Sequence, residues 1–193
     1  MRPDILNHGY RPGTKLLFAL LRLVTRQPLP DAAKLVFYRP DFYGDHAKKF
    51  THEAMRGPSA WSVADRELMA AYISQVNDSP FCVAAHTATA TQAYADQPKV
   101  EAILSDLDSA PIDEKLRATL HMLAKLTRES TITAADMRTV LATGVTPQQI
   151  EDALAVNAAF NTTDRLANAF AFTLLTPEAN QSGATYLLRR GYK

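Results

Sequence analysis

Apolar residues recur every three to four positions along most of the chain, and no stretch shows the strict alternation of apolar and polar residues that is typical of a strand. Three capping sequences also indicate helix starts, because each places a Ser or Thr three residues before an acid or an amide. The pattern therefore predicts an all-α fold. The predicted helices cover residues 63–76, 80–95, 99–107, 113–128, 133–143 and 147–174.

The first 50 residues differ from the rest, because five prolines interrupt the helical pattern around one amphipathic helix predicted at about residues 15–26. Up to Arg26 this segment has five basic residues and one acidic residue. We therefore divide the chain into an N-terminal extension, residues 1–50, and a helical domain, residues 51–193. A basic amphipathic helix can bind an anionic membrane, but the favoured interpretation is an arm that wraps around a neighbouring subunit.

The composition excludes several classes of protein. Hydrophobic residues make up 47% of the chain and charged residues 21%, which is typical of a globular protein and not of a disordered one. A net charge of +1 creates no field that would attract nucleic acid. The apolar run at residues 15–24 contains Arg22 and is too short for a membrane span, and no signal-peptide cleavage site follows it. We therefore expect a cytoplasmic protein.

The chain has a single cysteine, Cys82, which excludes an intramolecular disulfide and any metal site made of several cysteines. We expect no metal and no other cofactor. Cys82 lies in the sequence NDSPFCVAAH. Because Ser79 is a favoured N-cap and Pro80 a favoured first helical residue, Cys82 is predicted at the third position of a helix. There the backbone N–H groups and the helix dipole favour a thiolate.

Two further residues are candidates for chemistry at Cys82. His86 lies four residues later on the same helical face, and Glu67 reaches the same pocket if the two helices pack as a hairpin. Together the three side chains could act as nucleophile, base and orienting acid, or as a proton relay. Each also has a structural interpretation, since a cysteine on an alanine-rich helix is commonly inert, a lone helical histidine is commonly structural, and an acid is favoured near a helix start.

The complete pattern resembles a family signature. Eleven residues separate Glu67 from Ser79, two separate Ser79 from Cys82, and three separate Cys82 from His86. This spacing is similar to that of the alkylhydroperoxidase D-like proteins of the carboxymuconolactone decarboxylase superfamily, which have cysteines at both the Ser79 and the Cys82 positions. The similarity extends from about residue 40 to the segment FNTTDRLAN near residue 165. It implies an alkylhydroperoxidase D-like helical bundle that assembles into dimers, trimers or hexamers.

The resemblance also implies an activity. In that family the cysteine matching Cys82 attacks a hydroperoxide, the residues matching Glu67 and His86 relay protons, and the cysteine matching Ser79 closes a disulfide that a lipoyl-type or other thiol reductant opens. Ser79 cannot close that disulfide. The implied protein is therefore an antioxidant peroxidase of peroxiredoxin type that works through Cys82 alone and is restored by an external thiol.

Three alternatives remain open. The protein could be a carboxymuconolactone decarboxylase-like lyase that acts on a cyclic lactone acid, with Glu67 or His86 moving a proton at carbon. It could be an oligomeric binding protein with a vestigial site. Finally, Ser79 could replace a cysteine by design, to trap one redox state.

Overall fold

The computed structural model describes residues 4–25 and 29–192, and every regular element within them is a helix, which confirms the all-α prediction. None of the described helices is long and apolar enough to cross a membrane. In chain order the elements are a 3₁₀ turn at Asp4–Asn7, α1 at Pro12–Thr25, α2 at Asp31–Tyr38, a π-helical turn at Pro40–Gly44, α3 at Asp45–Arg56, α4 at Val63–Val76, α5 at Pro80–Tyr94, α6 at Gln97–Ser105, α7 at Glu114–Glu129, α8 at Ala134–Ala142, α9 at Pro147–Ala169 and α10 at Pro177–Arg190.

Helices α4 to α8 begin and end within two residues of the predicted positions. The last predicted helix was wrong at its end, because α9 stops at Ala169 and a separate helix, α10, follows. The start of α10 carries the same signal as that of α9, since the Thr176 hydroxyl accepts a hydrogen bond from Ala179 N and Pro177 is the first helical residue. The sequence interpretation overlooked this signal.

The first 50 residues contain more helix than the one predicted. Helix α1 ends at Thr25, and Arg26 lies outside the described residues; α2 and the start of α3 follow. The predicted boundary at residue 50 falls within α3. The division into an extension and a domain stays a prediction.

Helix α4 is the central helix of the bundle. It packs against α5, α7 and α9, and its residues are buried nearly all around, so it shows no single apolar stripe. Leu68, Met69 and Ile73 are completely buried in the main core. Trp61, just before α4, joins the same core and donates a hydrogen bond from Nε1 to Gln149 O at 2.8 Å. Side chains on α4 therefore have fixed surroundings on every side.

A second, smaller apolar cluster joins the N-terminal part of the chain to α5 and α9. It consists of Leu6, Leu35, Phe81, Cys82, Ala167 and Phe172. Asp31 at the start of α2 fixes this arrangement, because its carboxylate accepts a hydrogen bond from Thr173 N at 2.9 Å and pairs with Lys34 at 2.9 Å. We call residues 4–7 and 31–44 the N-terminal cover, since they lie over the beginning of α5.

Within the cover, Gly44 makes a close approach that a side chain would prevent. A Cβ atom at Gly44 would collide with the backbone oxygen of Val36 in α2. We expect Gly44→Ala to lower the free energy of unfolding by about 1–3 kcal/mol, as measured by urea titration, because the backbone must shift. Gly183→Ala is the control, since nothing lies within 4 Å of the added Cβ. It should stabilise α10 by about 0.5–1 kcal/mol. Equal effects of the two variants would contradict this account of Gly44.

Candidate active site

The turn between α4 and α5 positions Cys82. Ser79 is the N-cap residue of α5 and Pro80 its first residue, so Cys82 is the third residue, as predicted. Asp78 adopts a φ of 49°, and Ser79 N donates a hydrogen bond to Ser74 O at 2.9 Å. The Ser79 hydroxyl, however, makes no capping hydrogen bond to α5. It is buried without a well-formed hydrogen bond and lies beside the thiol of Cys82.

Helix α9 holds this turn in place. The buried Asp164 carboxylate accepts hydrogen bonds from Ser74 Oγ at 2.9 Å and from Asn77 Nδ2 at 2.9 Å. Asn168 Nδ2 donates to the backbone oxygen of Asn77 at 3.1 Å. The segment FNTTDRLAN therefore fixes the α4–α5 turn through its Asp and its last Asn. Arg165 in the same segment is exposed and hydrogen-bonds to Asn161 of its own helix.

The thiol of Cys82 is only 2% exposed and packs within the smaller apolar cluster. Burial raises the pKa of Cys82 far above its ordinary value, and the adjacent Asp164 carboxylate raises it further, which outweighs the lowering effect of the Ser79 hydroxyl. The helix N-terminus led us to expect the opposite direction. Burial prevails because a thiolate loses its hydration in an apolar cluster. Cys82 is therefore a neutral thiol at neutral pH.

Glu67 lies in the middle of α4, completely buried, and three side chains converge on its carboxylate. His86 Nδ1 lies 2.7 Å from Oε2, Arg56 Nη2 donates to Oε1 at 2.6 Å, and the Tyr192 hydroxyl donates to Oε1 at 3.0 Å. Burial alone would raise the pKa of Glu67, but the hydrogen bonds and charges of His86 and Arg56 outweigh it and hold this pKa below its usual value. Glu67 is therefore ionised at neutral pH.

Arg56 reaches Glu67 from the end of α3. Its Nη2 also donates to the backbone oxygen of Leu187 in α10 at 3.1 Å, and its guanidinium lies 5.1 Å from the centre of the Tyr192 ring. A single guanidinium thus joins α3, α4 and α10. Because an arginine keeps its charge when buried, it supplies a permanent counter-ion to Glu67.

Tyr192 reaches Glu67 because the chain reverses at Gly191, where α10 ends. Gly191 has a φ of 67°, and a Cβ there would lie 2.7 Å from atoms of the His52 ring. Only glycine can adopt this positive φ and also fit beside the His52 ring without strain. Burial, and after it the charge of Glu67, raise the pKa of Tyr192, so its hydroxyl stays protonated and donates to the carboxylate.

His86 is held between two aromatic rings. The Phe160 ring meets it edge to face, with 4.5 Å between centroids, and the Tyr192 ring is nearly parallel to it at 6.4 Å. Since Nδ1 faces Glu67, Nε2 is the nitrogen left to exchange a proton with a substrate. Within residues 4–25 and 29–192 no hydrogen bond reaches Nε2, and none joins His86 to Cys82.

The structure therefore brings Glu67 and His86 into direct contact and places Ser79 beside Cys82. The carboxyl that raises the pKa of the Cys82 thiol is that of Asp164, which the sequence did not single out. Burial raises the pKa of Asp164 more than the hydrogen bonds from Asn77, Cys82 and Ser74 lower it. Among the described residues, no three His, Cys, Asp or Glu side chains are placed to hold a metal ion.

The buried cluster of Glu67 with Arg56, His86 and Tyr192 carries a large free-energy cost if its role is only structural. Removing charged side chains from water carries a large desolvation penalty, and apolar side chains of similar volume commonly stabilise a core as well or better. Ionisable groups with shifted pKa values beside a nucleophile are typical of active sites. The arrangement can hold a proton on His86, compensate its charge with Glu67, and exchange that proton through Nε2.

Comparison with known proteins agrees with this description. Residues 43–125, which include Glu67, Ser79, Cys82 and His86, match the model of the carboxymuconolactone decarboxylase family. No curated protein matches the chain. A solved structure of an uncharacterized peroxidase-related protein from Silicibacter sp. TM1040 superposes with a TM-score of 0.75 at 25% identity, covering 89% of this chain and 90% of that one.

A second solved structure has the same fold. It is an alkylhydroperoxidase AhpD core, an uncharacterized peroxidase-related protein from Ralstonia eutropha JMP134, with a TM-score of 0.73 at 18% identity over 95% of each chain. The chain therefore has the helical fold of these two proteins, and part of it, residues 43–125, matches the carboxymuconolactone decarboxylase family. This match and the two similar structures support the superfamily resemblance that the sequence indicated.

Proposed function

We propose that the protein is a peroxidase-type oxidoreductase that reduces a hydroperoxide through Cys82, with Glu67 and His86 as its proton relay. The observation that carries this proposal is the buried Glu67–His86 pair, one helical turn from the only thiol of the chain. The peroxidase-related name of the Silicibacter protein supports the same class of activity.

The reaction that we propose begins with transfer of the Cys82 proton to His86, whose positive charge Glu67 compensates. The thiolate sulfur then attacks one peroxide oxygen and the O–O bond breaks. The sulfur is oxidised to sulfenic acid, the peroxide is reduced, and His86 returns the proton to the departing alkoxide, which leaves as an alcohol. In the resting protein burial and the nearby Asp164 carboxylate raise the pKa of Cys82, so the thiol needs the base His86 to become nucleophilic.

Regeneration requires a reductant from outside the chain, because the Ser79 hydroxyl cannot form a disulfide. One external thiol condenses with the sulfenic acid to give a mixed disulfide and water, and a second thiol attacks that disulfide and releases Cys82. A dithiol of the lipoyl type supplies both steps. A reducing cytoplasm would maintain such a reductant, and we propose that compartment for the protein.

The replacement Ser79→Cys tests the proposal by restoring the missing thiol. Ser79 is buried beside Cys82, so a sulfur at this position adjoins the reacting one. We expect one equivalent of an organic hydroperoxide to convert the variant to an intramolecular disulfide, seen by intact mass spectrometry as the loss of two hydrogens. In the unaltered protein the same treatment should give a sulfenic acid that dimedone traps.

The matched control is Ser79→Cys combined with Cys82→Ala, which keeps the new thiol and removes the proposed nucleophile. It should form no intramolecular disulfide and turn over no peroxide. If hydroperoxide leaves Cys82 unmodified in both the unaltered protein and the Ser79→Cys variant, the peroxidase proposal is wrong.

One observation favours a second candidate, a lyase that acts on a cyclic lactone acid. The thiol is buried and neutral, whereas the acid–base pair of Glu67 and His86 is complete. In that reaction His86 would move a proton at carbon and Cys82 would only fill space. Cys82→Ala separates the candidates, because a lyase activity on lactone acids would persist in the variant and peroxide reduction would not.

A further inference from the structure

His52 on α3 fixes the residues that follow α10. Its Nδ1 accepts a hydrogen bond from the backbone N–H of Tyr192 at 3.3 Å, so this nitrogen carries no proton. The His52 ring also lies against Gly191, where an added Cβ atom would come within 2.7 Å of it. Two contacts from one histidine therefore set the direction in which the Tyr192 side chain leaves the backbone.

The Tyr192 hydroxyl lies between the two carboxylate oxygens of Glu67. It is 3.0 Å from Oε1 and 3.2 Å from Oε2. Oε2 is also the oxygen that faces Nδ1 of His86, at 2.7 Å. The phenol and the imidazole therefore compete for the negative charge of one carboxylate oxygen.

Glu67 does not need Tyr192 in order to remain ionised. Arg56 donates to Oε1 at 2.6 Å, and the hydrogen bonds and charges of His86 and Arg56 hold the pKa of Glu67 below its usual value. A neutral phenol adds no charge to this balance. It changes how strongly the carboxylate attracts a proton on His86, because each further donor stabilises the carboxylate and weakens it as an acceptor.

We propose that Tyr192 is a positioning residue that keeps His86 a neutral base with its lone pair on Nε2, and that His52 holds Tyr192 in place for this role. The phenol proton reduces the negative charge that Glu67 presents to His86, so the imidazole gains its second proton only at lower pH. Nδ1–H then stays directed at Glu67, and Nε2 stays available for the thiol proton. The effect on Cys82 rests on the proposed function, whereas the state of His86 does not.

Titratable and charged groups from four helices and from the residue after α10 surround His86. They are Arg56 of α3, Glu67 of α4, Cys82 of α5, Asp164 of α9 and Tyr192. Removing the Tyr192 hydroxyl changes no formal charge, because burial and the charge of Glu67 raise its pKa and keep it protonated. A changed titration of His86 on its removal therefore reports the lost hydrogen bond.

NMR titration of the His86 imidazole tests the proposal with Tyr192→Phe, which removes the hydroxyl and keeps the ring. The His86 signal is identified by its absence in His86→Gln. We expect the midpoint of the titration to rise by about 1 on the pH scale, the size that the loss of one hydrogen bond to a charged group predicts. The acid limb of the pH profile of Cys82 oxidation by an organic hydroperoxide should move by the same amount. Tyr186→Phe, at a tyrosine 56% exposed on α10, is the matched control and should change neither.

The replacement His52→Phe tests whether His52 acts through Tyr192. It keeps a ring beside Gly191 but removes the acceptor of the Tyr192 N–H, so the midpoint of the His86 titration should rise here too. Adding it to Tyr192→Phe should raise the midpoint no further, since the two residues act on one contact.

An unchanged His86 titration in both single variants would overturn the proposal, as would a shift to lower pH. Additive shifts in the double variant would overturn the role of His52. If the titration shifts as expected while no hydroperoxide oxidises Cys82 in the unaltered protein, the proposed peroxidase is wrong and the role of Tyr192 is supported.

Discussion

The replacement Glu67→Gln should lower the free energy of unfolding by about 3–5 kcal/mol at neutral pH, because it leaves the Arg56 charge buried without its carboxylate. Arg56 is only 10% exposed and Glu67 is completely buried, so water does not replace the lost partner. In the same step His86 loses the carboxylate charge that lies 2.7 Å from its Nδ1. Urea unfolding measures the stability loss, and rates of Cys82 oxidation by hydroperoxide should fall by about 10²–10⁴-fold.

The stability loss should depend on pH in a defined direction. The pKa of Glu67 is lower in the folded chain than in the unfolded chain, so its ionisation stabilises the fold at every pH above the unfolded value. This contribution disappears as the pH falls through the folded pKa. The difference between the unaltered protein and Glu67→Gln should therefore shrink in acid.

Glu114→Gln is the matched control for this replacement. Glu114 pairs with Arg117 at 3.3 Å, but its side chain is 70% exposed. Its loss should change the free energy of unfolding by no more than about 0.5 kcal/mol. If the two glutamine variants were equally stable, the Glu67 cluster would not be the buried network described above.

The replacement Phe160→Ala should also lower the free energy of unfolding by about 3–5 kcal/mol, because it leaves a cavity in the main core. Phe160 is 1% exposed and its ring meets the His86 ring at 4.5 Å. The cavity frees His86 to rotate away from Glu67. Cys82 oxidation by hydroperoxide should therefore slow as well, even under conditions in which the variant remains folded.

Phe50→Ala controls for the loss of an aromatic side chain, since Phe50 is 47% exposed on α3. It should lower the free energy of unfolding by less than about 1 kcal/mol and leave the rate of Cys82 oxidation unchanged. Phe160→Leu separates packing from ring orientation, because it keeps most of the apolar volume but loses the edge-to-face contact. Equal oxidation rates in the leucine variant and the unaltered protein would show that the Phe160 ring does not position His86.

The features that the sequence predicted correctly depend on local chemistry. Capping boxes at Ser62 and Thr133 set the starts of α4 and α8, and Pro80 set the position of Cys82 in α5. The placement of Glu67 in the same pocket as His86 followed from one assumption, a hairpin of two adjacent helices, and the structure adds their direct contact. Each of these predictions needed information from no more than twenty consecutive residues.

The features that the sequence did not predict depend on contacts between distant parts of the chain. Arg56 and Tyr192 reach Glu67 from α3 and from the residue after Gly191, and no local pattern relates these positions. The sequence also predicted the wrong direction for the pKa shift of Cys82, and the reason is the same. The helix N-terminus is visible in the sequence, whereas the burial by Leu6 and Leu35 that overrides it comes from residues more than forty positions away.

The N-terminal cover has a kinetic consequence for any reagent larger than water. Because Leu6, Leu35 and Phe81 pack around Cys82, such a reagent meets the sulfur only after the cover detaches from α5. Local opening of this kind has its own free energy, which is smaller than that of global unfolding. At high reagent concentration the modification rate should stop rising and equal the opening rate of the cover. The modification rate of Cys82 therefore reports how often the N-terminal cover opens.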